Sequence, residues 1–253
     1  MRGRRRRRII LPLKSLGIIG GEDNGGDNGG GEEPEPPYVG VWDLTNIGSP
    51  YRYDISAQAT VSPYAVCFNE DGTKGYVACR NSNDNPDRYV VHQYTLDNPC
   101  EFKTGGVTHD NKTFKTGTTN QVLNQPLYDM QWTDSGNSLI YCWGGKDIYQ
   151  AFASTPYDLS TLSITTVVKQ TVSTYDFYSF FINSNGTRLY IADSTNGAIK
   201  EYSLSTAFDI TTLTYTNRSL SVTSIITASN VHTGLDFKPD LRKMFISNHN
   251  DEK

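Results

Sequence analysis

One turn motif recurs four times in the chain, and this recurrence constrains the fold more than any other feature of the sequence. Each copy lies between a strand-like segment that carries an aromatic residue and a second one that ends in small or apolar residues. The four copies are Cys67–Val77, Gln131–Tyr141, Phe181–Ile191 and Asp236–Ile246. Self-similarity of this kind predicts a repeat protein in which each unit is one supersecondary element.

The equivalent position of the four turns is held by Gly72, Gly136, Gly186 and Leu241, which lie 64, 50 and 55 residues apart. These spacings are close to the lengths of propeller blade repeats. Glycine suits the position because a tight hairpin often needs a positive φ. Leu241 departs from the pattern, so we expect the last turn to be built differently.

Further strand-like segments follow each turn and complete a unit of four antiparallel strands. The third strand is predicted at His92–Leu96, Tyr149–Ala153 and Lys200–Leu204, and the turns Ser154–Ser160 and Ser205–Thr211 lead into the fourth. One face of each sheet is too apolar to stand alone, and radial stacking of the sheets buries it. We therefore predict an all-β fold, a β-propeller of about four four-stranded antiparallel blades.

The two ends of the repeat region complement each other. Tyr38–Leu44 matches a third strand and Tyr51–Val61 a fourth, whereas Asn248–Lys253 ends where the turn between the second and third strands belongs. We therefore expect N- and C-terminal strands to close the last blade together, which hides two sheet edges. The alternative is that the sequence is a fragment of a larger propeller.

Composition divides the chain of 253 residues into three parts. Residues 1–19 form a basic and apolar arm, residues 20–37 are rich in Gly, acidic residues and Pro, and residues 38–253 carry the repeats. The middle part has almost no apolar surface to bury, so we predict a disordered, flexible linker. The formal net charge of −4 gives the chain as a whole no nucleic-acid footprint.

The turns Asn69–Val77 and Asn183–Ile191 resemble those of the YVTN/WD-like β-propeller repeat families. The resemblance covers residues 38–253 and implies the fold rather than an activity, because such families include enzymes, scaffolds and binders. Together with the arm, the arrangement is also similar to propeller-bearing structural proteins of bacterial viruses. That resemblance implies a virion or extracellular-surface location.

The arm combines five consecutive arginines with an apolar run, and no stretch of the chain approaches the length of a membrane span. We predict that the arm docks the domain to other subunits of a larger assembly. The docking residues are Arg4, Arg5, Arg6, Arg7, Arg8, Ile9, Ile10, Leu11 and Leu13. The alternatives are an ordinary basic tail, non-specific contact with nucleic acid, and the signal-like N-terminus of a secreted protein.

Residues that could carry catalysis are scattered. The histidines lie in different repeats, at His92, His109, His232 and His249. Asp129 and Asp236 are the acidic residues of the predicted inner strands, and we expect a difference of parity along the strand to separate them. We therefore predict that the chain is not an enzyme and needs no cofactor. The alternative is a secreted lactonase or glycan hydrolase of the propeller type.

Metal sites are not indicated either. The cysteines lack zinc-site spacing, and we expect free thiols buried in strands at Cys67, Cys79, Cys100 and Cys142. The segment Asn81–Asp87 is rich in side-chain oxygens but lacks the glycine and the bidentate glutamate of a calcium loop, so we expect a solvated loop.

Aromatic residues in the predicted loops are the candidates for a binding surface. They are Tyr51, Tyr53, Tyr89, Trp143, Tyr157 and Tyr175. Rigid rings among Asn, Ser and Thr suit a saccharide or a protein partner. The alternative, which the sequence favours, is that the rings fill gaps between blades. The overall prediction is a non-enzymatic structural or binding protein, anchored by its arm, whose loops contact a glycan or a protein.

Overall fold

The computed structural model describes residues 17–18, 63–81, 88–115, 127–172, 176–223, 233–238 and 241–248. These residues form strands and short 3-10 turns, and no α-helix is found among them. None of these ranges holds a helix with the length and hydropathy that a membrane crossing requires.

The strands form four antiparallel sheets in chain order. The first sheet holds β2 (Pro63–Phe68), β3 (Lys74–Asn81), β4 (Arg88–Leu96) and β5 (Val107–Lys115). The second holds β6 (Asp129–Thr133), β7 (Ser138–Cys142), β8 (Asp147–Phe152) and β9 (Val168–Thr171). The third holds β10 (Phe177–Ile182), β11 (Arg188–Asp193), β12 (Ala198–Leu204) and β13 (Leu213–Ser221). The fourth holds β14 (Thr233–Phe237), β15 (Met244–Asn248) and β1 (Gly17–Ile18).

Each of the first three sheets is a meander in which every strand pairs with the next one along the chain. The first strand of each sheet, which we call its inner strand, contacts the inner strand of the following sheet, so that β2, β6, β10 and β14 lie side by side. Sheets stacked in this way are the blades of a β-propeller. The predicted fold class is therefore confirmed.

The core lies between neighbouring sheets. Between the first and second sheets, the aromatic rings of Tyr76, Trp132 and Tyr141 are buried together with Leu159. Between the second and third sheets, aliphatic residues such as Ile140, Ile148 and Ile191 take this role. Burial of such side chains contributes roughly 1.5–3 kcal/mol each, so the stacking of sheets stabilises the fold more than any single strand pair.

The strand β1 adds two residues of the arm to the fourth sheet. Gly17 pairs with Ile246 and Ile18 with Phe245, on the open edge of β15. An unpaired strand edge readily accepts such an extended segment. The predicted closing strands, residues 38–44 and 51–61, lie outside the described residues.

The last turn corrects the prediction that Leu241 changes its construction. Leu241 has a φ of 61°, close to the 70° of Gly186. Its amide donates to the Lys238 carbonyl at 2.8 Å, as that of Gly186 does to the Asn183 carbonyl at 2.9 Å. The backbone hydrogen bonds therefore hold a leucine in the left-handed region at a cost of about 1–2 kcal/mol.

The cysteines are free thiols in all four cases. Cys67, Cys79 and Cys142 lie on strands, as expected, although Cys67 is only partly buried. Cys100 departs from the prediction because it is exposed and belongs to a turn after β4. Burial raises the pKa of Cys79 to about 12, so this thiol is unreactive at neutral pH.

Candidate functional site

A cavity of about 510 Å³ opens where the four inner strands end, which we call the turn end of the propeller. All four copies of the repeated turn contribute residues to the lining of this cavity. Its lining consists of Phe68, Asn69, Glu70, Gln131, Trp132, Thr133, Asp134, Ser135, Tyr157, Phe181, Ile182, Asn183, Ser184, Phe208, Asp236, Phe237, Lys238 and Phe245. A volume of this size accommodates a small molecule or a few side chains of a partner.

Asparagine side chains hold the first and the third of the four repeated turns. The Oδ1 atom of Asn69 accepts from the Lys74 amide at 2.7 Å, and its Nδ2 donates to Thr73. The Oδ1 atom of Asn183 accepts from the amides of Thr187 and Arg188. Side chains that bond to their own turn in this way fix the rim of the cavity.

Aromatic rings form the walls of the cavity and are locked by contacts with one another. Trp132 packs against Tyr76 at 5.3 Å and Tyr157 at 5.7 Å between ring centroids. On the other side, Phe237 packs against Phe181 at 5.0 Å. Rings held at these distances need little reorganisation to receive a ligand.

The charge of the lining is negative. Glu70, Asp134 and Asp236 contribute three carboxyl groups, and Lys238 is the one basic residue among the described residues of the lining. Asp236 faces the open space and is exposed, yet the surrounding protein partly desolvates it and raises the pKa of its carboxyl group. A cation in the cavity would therefore encounter both aromatic faces and carboxylates.

Deeper between the inner strands, a polar ladder joins three blades. The Oδ2 atom of Asp129 accepts from the Ser179 hydroxyl at 2.6 Å and from the Phe180 amide at 3.0 Å. The Ser179 hydroxyl oxygen accepts from the Leu235 amide at 2.9 Å. Desolvation nevertheless raises the pKa of Asp129 to about 7, against the opposing effect of these hydrogen bonds.

The second rung of the ladder is Gln131. Its side-chain amide donates to the Ile182 carbonyl and accepts from the Ile182 amide, at 3.0 and 3.2 Å. Both rungs bond from the second blade to backbone groups of the third. Since buried backbone groups must be paired, these side chains set the spacing of the blades around the cavity.

The opposite end of the inner strands, which we call the start end, is covered by tyrosines. Tyr128 contacts Tyr64 at 5.9 Å and Tyr178 at 4.8 Å, both edge to face. Gly144 lies beneath them, and a Cβ atom at this position would come within 2.5 Å of the Tyr128 ring. We call Tyr64, Tyr128 and Tyr178 the tyrosine row.

The aromatic residues predicted as a binding surface do not lie together in the structure. Tyr157 lies in the lining of the cavity. Tyr89 and Trp143 are each only 7% exposed, and Trp143 stacks on Tyr149 at 4.0 Å, so these two rings fill the interior as the alternative interpretation has it. Tyr51, Tyr53, Tyr175 and the docking residues of the arm lie outside the described residues.

Trp132, Phe237 and Phe68 are the wall residues that sequence reasoning missed. A signal for them was present, because each is the second residue of its copy of the turn motif. An aromatic residue that recurs at a fixed distance from a turn recurs at a fixed height in the propeller, and the turn motif alone therefore locates the wall.

The described histidines form one pair. His92 Nδ1 lies 3.2 Å from His109 Nε2, across β4 and β5. Burial, with a smaller effect of His109, lowers the pKa of His92 to about 4, so His92 is neutral at pH 7. Within the described ranges, no three His, Cys, Asp or Glu residues come together as metal ligands would.

Comparison with known proteins rests on structure alone, because no family model and no curated protein matches the sequence. A protein from Lactobacillus plantarum matches with 16% identity and a TM-score of 0.44, over 74% of this chain and 50% of that one. A proposed 6-phosphogluconolactonase from Bacteroides fragilis matches with 14% identity and a TM-score of 0.44, over 80% and 70%.

A third solved structure is Sqt1 of Chaetomium thermophilum bound to the N-terminus of a ribosomal protein. The identity is 15% and the TM-score 0.37, over 75% of this chain and 59% of that one. The chain spans about half the length of the first of these proteins. At such identities the likeness concerns the fold alone.

The prediction that the chain is not an enzyme is wrong. A proposed lactonase is among the solved structures that it resembles, beside interaction scaffolds. The sequence argument from parity also fails, because Asp129 lies two residues before Gln131, which begins its copy of the turn motif, and Asp236 is the first residue of its own copy. They therefore point to the same side, and the charge of Asp236 contributes to the raised pKa of Asp129. An enzymatic function is thus compatible with the structure.

Proposed function

We propose that the protein is a binding propeller whose turn-end cavity receives a cationic side chain, arginine or lysine, of a protein partner. The observation that supports this most is the combination of aromatic walls with Glu70, Asp134 and Asp236 around one opening. A cation over an aromatic face gains roughly 0.5–2 kcal/mol, and carboxylates beside the ring add to this attraction.

The geometry favours a cation over a glycan. Sugar hydroxyls are recognised by amide and carboxylate side chains that have free hydrogen-bonding atoms. Here the Oδ1 atoms of Asn69 and Asn183 already accept bonds from their own turns. Glu70, by contrast, accepts a long bond of 3.4 Å from the Tyr157 hydroxyl, which leaves its carboxylate oxygens available to a cation.

The pKa of Asp236 gives this binding a pH dependence. Desolvation raises the pKa of its carboxyl group, so Asp236 keeps its proton to a higher pH than an ordinary aspartate does. A bound cation favours the ionised form and lowers that pKa again. Binding therefore releases protons and becomes tighter as the pH rises from acidic to neutral.

The test is a titration with a short Gly/Ser-rich peptide that carries one arginine, against the same peptide with neutral citrulline. We expect the arginine peptide to bind at least about tenfold more tightly, a difference of about 1.4 kcal/mol. The double variant Glu70→Gln/Asp236→Asn should remove most of this preference. Asp97→Asn changes an exposed carboxylate outside the cavity and serves as the control. Equal affinity for the two peptides would contradict the proposal.

The finer predictions from the sequence remain proposals. Docking of the arm to a larger assembly, such as a virion or another extracellular surface, is supported by its charge and apolar pattern alone. Deletion of residues 1–16 spares β1 and tests this proposal. We expect the propeller to keep its melting temperature and to lose incorporation into the assembly, whereas normal incorporation would contradict a docking role.

A further inference from the structure

The first sheet binds a turn of the second sheet through three side chains, and the third sheet carries side chains at the same three positions. In the first sheet, three side chains bind the turn Tyr157–Ser160 of the second. The Tyr76 hydroxyl donates to the Tyr157 carbonyl at 2.7 Å. Gln93 Oε1 accepts from the Leu159 amide at 3.0 Å. Lys112 Nζ lies 2.6 Å from Asp158 Oδ2.

Strand register identifies the same three positions in the third sheet. Tyr76 pairs with Gln93 across β3 and β4, and Tyr190 pairs with Glu201 across β11 and β12. The third position follows a bulge whose asparagine has a positive φ, 57° at Asn111 and 62° at Asn217. Lys112 therefore corresponds to Arg218.

The second sheet shows that this mode of binding is general in the protein. Gln150 corresponds to Gln93, and its Oε1 atom accepts from the Ile210 amide of the third sheet at 3.3 Å. Its Nε2 atom donates to the Phe208 carbonyl at 2.7 Å. The bound turn again has the sequence aromatic–Asp–aliphatic–Ser/Thr, here Phe208–Thr211.

In the third sheet the binding side chains are in place, but no turn within the described ranges bonds to Glu201. Its Oε1 atom is buried and has no hydrogen-bond partner among the described residues. The charges of Arg188 and Arg218, at 3.9 and 3.7 Å, balance it at longer range. Tyr190 packs on Phe237 at 4.7 Å, as Tyr76 packs on Trp132 at 5.3 Å.

The exchange of glutamine for glutamate has a local cause. Gln93 donates from Nε2 to Asp110, and the position of Asp110 is held by Thr216 in the third sheet. With no carboxylate there to receive an amide N–H, a carboxylate at position 201 between two arginines is the better choice. Glu201 still offers an oxygen to a backbone amide, as Gln93 does.

We propose that Tyr190, Glu201 and Arg218 form a docking site for a turn of sequence aromatic–Asp–aliphatic–Ser/Thr, and that its occupant is Tyr53–Ser56 of this chain. The sequence Tyr-Asp-Ile-Ser at 53–56 differs from the bound Tyr157–Ser160 only by isoleucine for leucine. Glu201 then accepts from the Ile55 amide, Tyr190 donates to the Tyr53 carbonyl, and Arg218 pairs with Asp54. This proposal does not depend on the ligand of the cavity.

One difference at this site is Leu241. In the second sheet the ring of Tyr157 covers Gly136, where a Cβ atom would come within 2.5 Å of the ring. Leu241 takes the place of that glycine in the fourth sheet. An occupant Tyr53–Ser56 therefore needs another rotamer for its Tyr53 ring than Tyr157 has, whereas the three proposed polar contacts involve only the backbone and Asp54.

The experiment is a charge exchange between Arg218 and Asp54 in the full-length chain. We expect Arg218→Asp and Asp54→Arg each to lower the midpoint of thermal unfolding by about 2–4 °C. The double variant should regain most of the loss, because it restores an opposite-charge pair. The matched control is Lys112→Asp with Asp158→Lys, a pair that is seen in contact. Its measured coupling gives the scale for the proposed pair.

The outcomes separate the alternatives. Rescue in the double variant, with a monomeric chain and a midpoint independent of protein concentration, supports the proposal. Additive losses without rescue would overturn it, since the control pair reports whether the method detects such a contact. Rescue that appears only in dimers would overturn the intramolecular occupant and assign the turn to a second copy.

Discussion

The two ends of the inner strands differ although the same four strands build both. At the start end, Tyr128 bridges Tyr64 and Tyr178 edge to face. At the turn end, the equivalent rings, among them Trp132 and Phe237, pack toward neighbouring blades and leave a cavity of about 510 Å³.

The carboxyl groups show the same contrast. Asp129 is nearer the start end, and its oxygens accept hydrogen bonds from Ser179 and two backbone amides. Asp236 is nearer the turn end, accepts one bond from the next amide and faces open space. One end of the propeller is therefore built for cohesion between blades, and the other keeps charge and aromatic surface available for a ligand.

The largest expected effect is on the pH dependence of stability. The pKa of Asp129 is about 7 in the folded protein and 3.8 without the fold, so the folded state binds this proton more tightly. Protonated Asp129 therefore contributes to the free energy of unfolding. This contribution is fully present below about pH 4 and is lost as the pH rises through 7. It amounts to at most about 4 kcal/mol, at 1.36 kcal/mol per pH unit. Asp129→Asn should flatten this decline in urea unfolding measured at pH 5 and 8. If the free energy of unfolding falls as steeply in the variant as in the parent, the decline arises from titratable groups other than Asp129.

Two glycines test the difference between the start end and the turn end, because one lies at each end of the propeller. Gly144 and Gly136 have φ values of 74° and 86°, and a Cβ atom on either would meet a tyrosine ring at 2.5 Å. Replacement of either by alanine should cost about 2–3 kcal/mol in unfolding free energy, from backbone strain and overpacking. Only Gly136→Ala displaces Tyr157, so only this variant should weaken binding of the arginine peptide. Equal loss of binding in both would contradict the separation of the two ends.

The smallest expected effect is an increase in the free energy of unfolding. Leu241→Gly removes a left-handed leucine and should stabilise the protein by about 1 kcal/mol, a part of the strain being offset by the entropy of glycine. Thermal unfolding measures the gain. The matched change Leu235→Gly removes a buried leucine from an ordinary strand position and should destabilise the protein instead. A loss at position 241 would show that its side chain stabilises the fold more than its backbone costs.

Much of the fold followed from the repeated turn, because a motif at regular intervals fixes both the number of sheets and their order. The sequence places the inner strands at Tyr128–Gln131 and Tyr178–Phe181, which agrees with β6 and β10 to within two residues. The conformation of Leu241 could not be predicted, since it depends on backbone hydrogen bonds that override the preference of the side chain. The pairing of Gly17–Ile18 with β15 is likewise a contact between distant segments with no local signal.

The site was predicted only in part. Tyr157 was selected as a loop aromatic, and it lies in the cavity. Tyr89 and Trp143 were selected by the same criterion and are buried, because an aromatic residue beside polar neighbours in sequence can still face an adjacent blade. The shared orientation of Asp129 and Asp236 was deducible from their distances to the turns. Their raised pKa values were not, since desolvation depends on the neighbouring sheets.

The most direct test of the central claim is an NMR titration that follows the indole N–H signals during addition of the arginine peptide. The Trp132 Nε1 atom lies in the cavity wall without a hydrogen-bond partner among the described residues, and Trp143 lies toward the start end. We predict that the Trp132 signal shifts with the arginine peptide and not with the citrulline peptide, while Trp143 stays unchanged. A shift of Trp143 alone, or equal shifts with both peptides, would contradict a cation-binding site at the turn end.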